Sequence, residues 1–169
     1  MQLIFKNPRK FLILLVSISL MTLFLCNKKM NYKGDNYQDT ICPQSFFAIA
    51  YFGQSNSANG VNKKSKLNIP DNLYQYNWKD NKCYRYKEPL LGATGKKGNS
   101  ITPFAVSLAN NIEDNVLIIP YGIGSTLIEQ WSVADSLHNK LLKNLKSRKF
   151  DVELFLFHQG ESDADIVRK

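Results

Sequence analysis

The stretch Phe46-Phe47-Ala48-Ile49-Ala50-Tyr51-Phe52, followed directly by Gly53-Gln54-Ser55-Asn56, decides how this chain is predicted to fold. Its apolar run lacks polar alternation, which is typical of a strand buried on both faces of a parallel sheet, and we place that strand at about residues 45–52. A serine in a Gly and Asn turn just past such a strand is a typical place for a nucleophile. The strand fixes the backbone, and the turn exposes the hydroxyl and leaves the serine N–H free to stabilise an oxyanion. The stretch therefore predicts an α/β fold and acyl-transfer chemistry at Ser55.

Two later apolar runs repeat this pattern of a strand that ends in a polar motif. Residues 116–120 lead into Tyr121-Gly122-Ile123-Gly124-Ser125-Thr126, and residues 152–157 lead into His158-Gln159-Gly160-Glu161-Ser162-Asp163. In parallel α/β sheets, functional sites gather outside the carboxyl ends of the strands. We therefore expect the three polar motifs to meet at one edge of the sheet.

Two helices are predicted between these strands. The first begins with Thr102 as N-cap and Pro103 at the first helical position. The second carries one apolar face (Leu137, Leu141, Leu142 and Leu145) and one lysine face (Lys140, Lys143 and Lys146). A small aromatic hairpin is predicted from residues 73–78 and 82–86. Strands that alternate with helices in this way are typical of an α/β domain with a parallel sheet.

The charge of the chain does not indicate a nucleic-acid partner. Its 169 residues carry a net charge of +8, and the hydrophobic fraction of 44% is ordinary for one globular domain. The lysines are scattered and accompany no aromatic-basic recognition motif, so we interpret them as solvated faces.

The N-terminus has the features of a targeting segment. Lys6, Arg9 and Lys10 precede the apolar residues 11–25, as in a secretory signal. A cleaved signal, an uncleaved anchor and a lipoprotein signal with a lipidated Cys26 all fit residues 1–26, and all three place the domain outside the cytoplasm. Contact with a membrane is expected only through residues 11–25, if they are uncleaved. Residues 27–44 are predicted to be a linker, and residues 45–169 the domain.

Cys42 and Cys83 remain as a pair outside the targeting segment. In an oxidising compartment they can form a disulfide, and two unlinked thiols are the alternative. Their spacing does not suggest a metal site.

The motifs together resemble one group of enzymes. Gly53-Gln54-Ser55-Asn56, Glu88-Pro89-Leu90, the motif around Gly124 with Trp131, and His158-Gln159-Gly160-Glu161-Ser162-Asp163 occur in the order seen in the sialate O-acetylesterase and acetylxylan esterase branch of the SGNH hydrolases. The resemblance covers about residues 45–165. It implies a three-layer, flavodoxin-like α/β fold and hydrolysis of O-acetyl esters on carbohydrate, without metal or organic cofactor.

The resemblance also implies roles for individual residues. Ser55 is the expected nucleophile, and its N–H, the Gly124 N–H and the Gln159 side-chain amide are the expected oxyanion donors. Glu161 is the expected acid that orients a histidine, and Gln54 and Asn56 are expected to contact substrate. Structural interpretations stay open: Ser55 and Gly124 as turn residues, Gln159 as a surface amide, Glu161 and Asp163 as helix caps or partners of loop amides, and Trp131 as a packing aromatic.

A general base is missing from the pattern. A serine esterase needs one, and in this group it is a histidine in an Asp-x-x-His arrangement, which this sequence lacks. His138 is expected to face solvent, and His158 is expected to point away from the face used by Gln159, because neighbouring strand residues alternate. We expect the α/β domain to be incomplete at its C-terminus, with an open, partly apolar sheet edge. The competing hypothesis is an inactive remnant or a carbohydrate-binding module.

Overall fold

Six β-strands and three α-helices lie in the part of the chain that the computed structural model describes, residues 37–133 and 135–167. In chain order they are β1 (Asp39–Thr40), β2 (Phe47–Gly53), β3 (Leu73–Asn77), β4 (Lys82–Arg85), α1 (Thr102–Asn111), β5 (Val116–Gly122), α2 (Ser136–Arg148), β6 (Leu154–His158) and α3 (Glu161–Val167). A short 3-10 helix, Ile128–Trp131, follows β5. The predicted targeting segment, residues 1–26, lies outside the described residues. Within them, no helix has both the length and the apolar character needed to cross a membrane.

The strands form one mixed sheet in the order β1-β4-β3-β5-β2-β6. The neighbours β3, β5, β2 and β6 run parallel, whereas β4 pairs antiparallel with β3 as the predicted hairpin and β1 pairs antiparallel with β4. The first quoted stretch forms β2, which lies between β5 and β6. This position explains why its sequence is apolar throughout, because β2 has a strand on each side and a helical layer on each face.

Helices cover both faces of the sheet, so the α/β three-layer prediction is confirmed. Ile49 and Tyr51 of β2 face one cluster that includes Ala105 of α1, and all three are buried. Ala48 and Ala50 point to the opposite face and join the cluster of Leu137, Leu141 and Leu145 from α2. Each leucine that is fully buried in this way stabilises the fold by about 1.5–3 kcal/mol.

The start of α1 differs from the prediction by one residue. Thr102 is the first helical residue instead of the N-cap, the N-cap is Ile101, and no side chain caps the helix. The reason is that the Thr102 hydroxyl has other partners. Its side chain is fully buried, donates to the Glu88 carboxylate, and lies 2.7 Å from the Tyr86 hydroxyl. Sequence alone could not distinguish this buried threonine from an ordinary cap.

Residues 37–44, which the sequence predicts to be linker, contact the sheet in the structure. β1 pairs with β4, and a disulfide joins Cys42 to Cys83 across 41 residues of chain. Closing a loop of this length restricts the unfolded chain and stabilises the folded state by about 4 kcal/mol.

β6 forms one edge of the sheet within the described ranges. Two large apolar side chains of β6 are partly exposed on one face of the sheet: Phe155 is 53% exposed, and Phe157, which packs against Phe52, is 44% exposed. The expectation of an open, partly apolar edge therefore agrees with this arrangement.

Candidate active site

The three polar motifs begin at positions that are direct neighbours in the sheet. Gly53 pairs in register with Gly122 of β5 on one side and with His158 of β6 on the other. Each of these residues is the last of its strand. The motifs therefore leave the sheet side by side at its carboxyl edge, as sequence predicts.

Ser55 lies two residues beyond this edge, in a tight turn. Its carbonyl oxygen accepts hydrogen bonds from Ala58 N at 3.0 Å and from Gly60 N at 2.7 Å, which closes the turn. Neither its hydroxyl nor its own N–H has a partner among residues 37–133 and 135–167. A half-buried serine with a free hydroxyl and a free N–H can attack a carbonyl and then donate to the oxyanion that forms.

Two glycines allow the chain to approach this edge closely. A Cβ on Gly53 would lie 2.0 Å from the His158 carbonyl oxygen, and the φ angle of Gly53 is +126°. A Cβ on Gly122 would lie 2.2 Å from the Ser57 carbonyl oxygen. Only glycine fits at either position, so Gly53 permits the close spacing of β2 and β6, and Gly122 permits the close approach of β5 to the Ser55 turn.

Asn59 fixes the far end of the Ser55 turn. It is 1% exposed and has a φ of 58°, a left-handed conformation that asparagine tolerates. Its Oδ1 accepts from Leu90 N at 2.8 Å, and its Nδ2 donates to the carbonyl oxygens of Leu90 and Thr94. Asn59 could not be identified from the sequence, because an asparagine in a polar loop carries no signal of burial.

Glu88 accepts hydrogen bonds from three segments near the Ser55 turn. It is 6% exposed, and its carboxylate accepts from Ser65 N at 2.6 Å, Asn99 N at 2.9 Å and the Thr102 hydroxyl. The Glu88-Pro89-Leu90 motif thus joins two loops and the start of α1, and the structure gives its acid a structural role.

Two of the three predicted oxyanion donors have protein acceptors in this structure. The Gly124 N–H donates to Thr94 Oγ1 at 2.9 Å. The Gln159 Nε2 donates to the Thr126 carbonyl at 2.6 Å and to Asp163 Oδ2 at 3.1 Å, while its buried Oε1 has no partner. The Ser55 N–H is the donor without an acceptor among the described residues. The oxyanion roles of Gly124 and Gln159 stay predictions.

Asp163 and Trp131 have structural contacts. The Asp163 carboxylate accepts from Ile128 N at 3.0 and 3.2 Å, at the start of the 3-10 helix. Trp131 is 7% exposed and packs against Phe52, with the ring centroids 5.6 Å apart. These contacts match the structural interpretations that the sequence left open for both residues.

Gln54 and Asn56, the residues expected to contact substrate, differ in accessibility. Gln54 is fully buried, its Oε1 accepts from the backbone N–H and the hydroxyl of Ser162, and its Nε2 has no partner. Its side chain therefore ties the Ser55 turn to α3. Asn56 is half-buried and donates from Nδ2 to Glu161 Oε1 at 2.5 Å. Substrate contact by either residue stays a prediction.

Glu161 contacts a histidine, although one that sequence did not favour. Its Oε1 lies 3.2 Å from His158 Nε2, and His158 Nδ1 lies 3.2 Å from Ser100 Oγ and 3.3 Å from the Tyr51 hydroxyl. Burial raises the pKa of Tyr51 above its ordinary value of 10.0; the Ser100 hydrogen bond lowers it and the Glu161 charge raises it further. The Tyr51 hydroxyl therefore stays protonated at neutral pH.

The side chains of His158 and Gln159 have different hydrogen-bond partners, although both residues line one cavity and Gln159 lies beyond the end of β6. The imidazole of His158 contacts Tyr51 and Ser100, whereas the Gln159 amide contacts Thr126 and Asp163. His138, which was expected to face solvent, is half-buried on α2. Of the described side chains, no group of three or more His, Cys, Asp and Glu residues is placed to hold a metal ion.

Comparisons with known proteins agree with this architecture. A family model described as "carbohydrate esterase, sialic acid-specific acetylesterase" matches residues 46–168. The X-ray structure of a protein from Arabidopsis thaliana is similar, with a TM-score of 0.53 and 20% sequence identity over 70% of this chain. The match covers 60% of that protein's own length, and at this identity it supports the fold alone. Among curated proteins, none matches this chain.

Proposed function

Because the chain belongs to the carbohydrate esterases described as sialic acid-specific acetylesterases, we propose that it hydrolyses O-acetyl esters of carbohydrates, sialic acids among them, with Ser55 as the nucleophile. The observation that carries this proposal is the register of the sheet. Gly53, Gly122 and His158 are neighbours at one edge, so the turn that holds Ser55 emerges between the two motifs expected to supply oxyanion donors.

The proposed reaction begins when Ser55 Oγ attacks the acetyl carbonyl carbon. The Ser55 N–H stabilises the tetrahedral oxyanion, and one such donor contributes about 3 kcal/mol to the transition state. The Gly124 N–H joins it once the exposed Thr94 hydroxyl turns away, and Gln159 joins by exchanging one of its two acceptors for the oxyanion. The Ser55 proton passes to solvent water, the C–O bond to the sugar breaks, and the departing sugar oxygen takes a proton from solvent. Water then attacks the acetyl-serine, releases acetate and restores the Ser55 hydroxyl.

The proton of Ser55 has no acceptor in the described part of the chain, so we expect slow turnover. The imidazole of His158 contacts Glu161 on one side and Ser100 and Tyr51 on the other, and Ser55 is not among its partners. An oxyanion hole and binding alone still leave a rate about 10³–10⁴-fold above that of water in serine hydrolases that lack a triad residue.

A second candidate function is carbohydrate binding without turnover. The same absence of an imidazole partner for Ser55 within residues 37–133 and 135–167 favours it. In this function the protein binds the acetylated sugar as a ligand but does not hydrolyse its ester.

Release of acetate from an O-acetylated sialic acid separates the two candidates. We expect slow release by the wild-type chain and none by Ser55→Ala, while Ser147→Ala, which removes an exposed hydroxyl on α2, keeps the wild-type rate. Equal rates in wild type and Ser55→Ala would reject the nucleophile. Saturable sugar binding without any acetate release would support the binding module.

We also propose that the protein acts outside the cytoplasm. Support comes from Lys6, Arg9 and Lys10, which are followed by the apolar residues 11–25. The mass of the mature protein tests this: loss of about the first 26 residues or a lipid on Cys26 is expected for export, and an intact, unmodified chain in the cytoplasmic fraction contradicts it.

A further inference from the structure

A cavity of about 380 Å³ opens on the face of the sheet that α1 covers, and Ser55 does not line it. Ser100, just before α1, and His158, the last residue of β6, lie in its wall together with Tyr51. The remaining wall is largely apolar and includes Phe104 and Leu156. The cavity thus places one serine and one histidine that the proposed function does not use in a largely apolar surrounding, which Gln159 also lines.

A row of hydrogen bonds links the polar groups of this cavity. Tyr51 OH lies 2.6 Å from Ser100 Oγ, Ser100 Oγ lies 3.2 Å from His158 Nδ1, and His158 Nε2 lies 3.2 Å from Glu161 Oε1. Ser100 Oγ also lies 3.2 Å from the Asn56 carbonyl oxygen. A hydroxyl, an imidazole and a carboxylate in sequence are the parts of a serine-hydrolase triad, which is recognised by geometry rather than by chain position.

The direction of the hydrogen bond between His158 and Glu161 follows from the groups that are present. A carboxylate oxygen only accepts hydrogen bonds. Glu161 Oε1 therefore accepts from His158 as well as from Asn56 Nδ2 (2.5 Å), and His158 Nε2 carries the proton. In the neutral ring, Nδ1 is then an acceptor. Tyr51 OH and Ser100 Oγ lie 2.6 Å apart and either hydroxyl can donate; when Tyr51 donates, the Ser100 proton is available to another acceptor.

The Ser100 hydroxyl has two acceptors at the same distance of 3.2 Å, His158 Nδ1 and the Asn56 carbonyl oxygen. The Asn56 carbonyl oxygen also accepts from the Ser100 N–H at 3.3 Å, but of the two acceptors only the imidazole is basic enough to take up the Ser100 proton. Nδ1 of His158 has no such additional backbone donor among the described residues. A serine whose hydroxyl can pass its proton to the acceptor nitrogen of a carboxylate-bound imidazole can act as an activated nucleophile.

We infer that Ser100 is a second nucleophile, independent of Ser55, which His158 and Glu161 activate toward small acyl esters of apolar alcohols. Ser100 Oγ bonds to the acyl carbon as its proton passes to His158 Nδ1, and Glu161 stabilises the imidazolium. The ester C–O bond breaks, and the departing alkoxide takes the proton from His158. Water then attacks the acyl-serine, gives a proton to Nδ1, and restores the Ser100 hydroxyl as the acid leaves.

The cavity also limits the rate and the substrate. The Ser100 N–H donates to the Asn56 carbonyl oxygen, so the Tyr51 hydroxyl is the oxyanion donor at this site. Serine hydrolases use at least two such donors, so a single donor limits the rate. The apolar wall favours an aromatic or aliphatic leaving group over a sugar. Ser100 is therefore expected to react with activated esters such as aryl acetates and to deacylate slowly.

Mapping the acylated serine tests the inference. The full chain with Ser55→Ala, so that Ser55 cannot supply the label, is incubated with 4-nitrophenyl acetate, proteolysed, and its peptides are sequenced by mass spectrometry. We expect acetyl on Ser100. In the same background, Glu161→Gln is expected to slow labelling at least ~10-fold, because base catalysis of this kind contributes ~10²–10⁴-fold, and Ser147→Ala is expected to leave it unchanged.

An unlabelled Ser100 in a chain whose thermal unfolding is intact overturns the inference, and so does an unchanged labelling rate in Glu161→Gln. Because the mapping itself uses no change at Ser100, the result does not depend on whether a Ser100 variant folds. Loss of sugar deacetylation in Ser55→Ala with retained labelling of Ser100 distinguishes this site from the proposed one.

Discussion

Gly53→Ala tests the close approach that brings β2 and β6 together at the site. The added Cβ would lie 2.0 Å from the His158 carbonyl oxygen, and a separation under 3.0 Å requires one of the two strands to shift. Gly160→Ala is the matched control. Its φ of +129° is close to the +126° of Gly53, but a Cβ there meets no atom within 4 Å. The pair of variants separates backbone strain from the collision.

The expected losses in the free energy of unfolding follow from the backbone strain and from the collision. A non-glycine residue at such a φ costs about 1–3 kcal/mol, and both variants carry this term. Gly53→Ala adds the collision and weakens the hydrogen bond from Gln54 N to the His158 carbonyl, 3.0 Å long, which is worth about 0.5–1.5 kcal/mol. We expect a loss of about 3–5 kcal/mol for Gly53→Ala, a large part of the 5–15 kcal/mol typical of a folded domain.

Urea unfolding followed by tryptophan fluorescence measures both losses, since Trp78 and Trp131 pack in the domain. The free energy of unfolding of Gly53→Ala should fall at least about 1 kcal/mol further than that of Gly160→Ala. Equal losses would refute the reasoning, because they would show that no close contact between β2 and β6 depends on Gly53.

Three further predictions concern the support of the site. Glu88→Gln places an amide against three donors and should cost about 2–4 kcal/mol of unfolding free energy, whereas the exposed Glu113→Gln should cost almost nothing; equal urea midpoints contradict this role. Reducing the Cys42–Cys83 disulfide should lower the free energy of unfolding by about 4 kcal/mol, and an unchanged midpoint argues against it. Burial raises the pKa of Tyr86 above 10.0, so its stabilising contribution is complete below pH 10.0 and is lost as pH rises toward the folded-state pKa. Tyr86→Phe should therefore weaken the alkaline loss of stability in urea titrations, and an identical pH profile would contradict this.

The sequence predicts the parallel part of the sheet well because apolar runs mark strands buried on both faces. β2, β5 and β6 fall within two residues of their predicted bounds, and the polar motifs that follow them meet as expected. The α1 start was wrong by one residue because Thr102 is a buried partner of Glu88, and burial cannot be read from a Thr-Pro pair.

The surroundings of the site were harder to predict, because they depend on contacts between residues far apart in the chain. Ser100 and His158 are 58 residues apart, and Asn59 and Leu90 are 31 apart, yet each pair is hydrogen-bonded. Tyr51 lies in an apolar run where its hydroxyl carries no sequence signal. Only the three-dimensional structure brings these polar groups together.

The measurement that tests the central proposal most directly is the position of the acetyl group after incubation with an O-acetylated sialic acid. The chain is quenched in acid, proteolysed, and sequenced by mass spectrometry. The proposal predicts acetyl on Ser55, accumulating because no described imidazole contacts its hydroxyl to speed deacylation. An acetylated sugar that is consumed while Ser55 stays unmodified, with the same rate in Ser55→Ala, would contradict it.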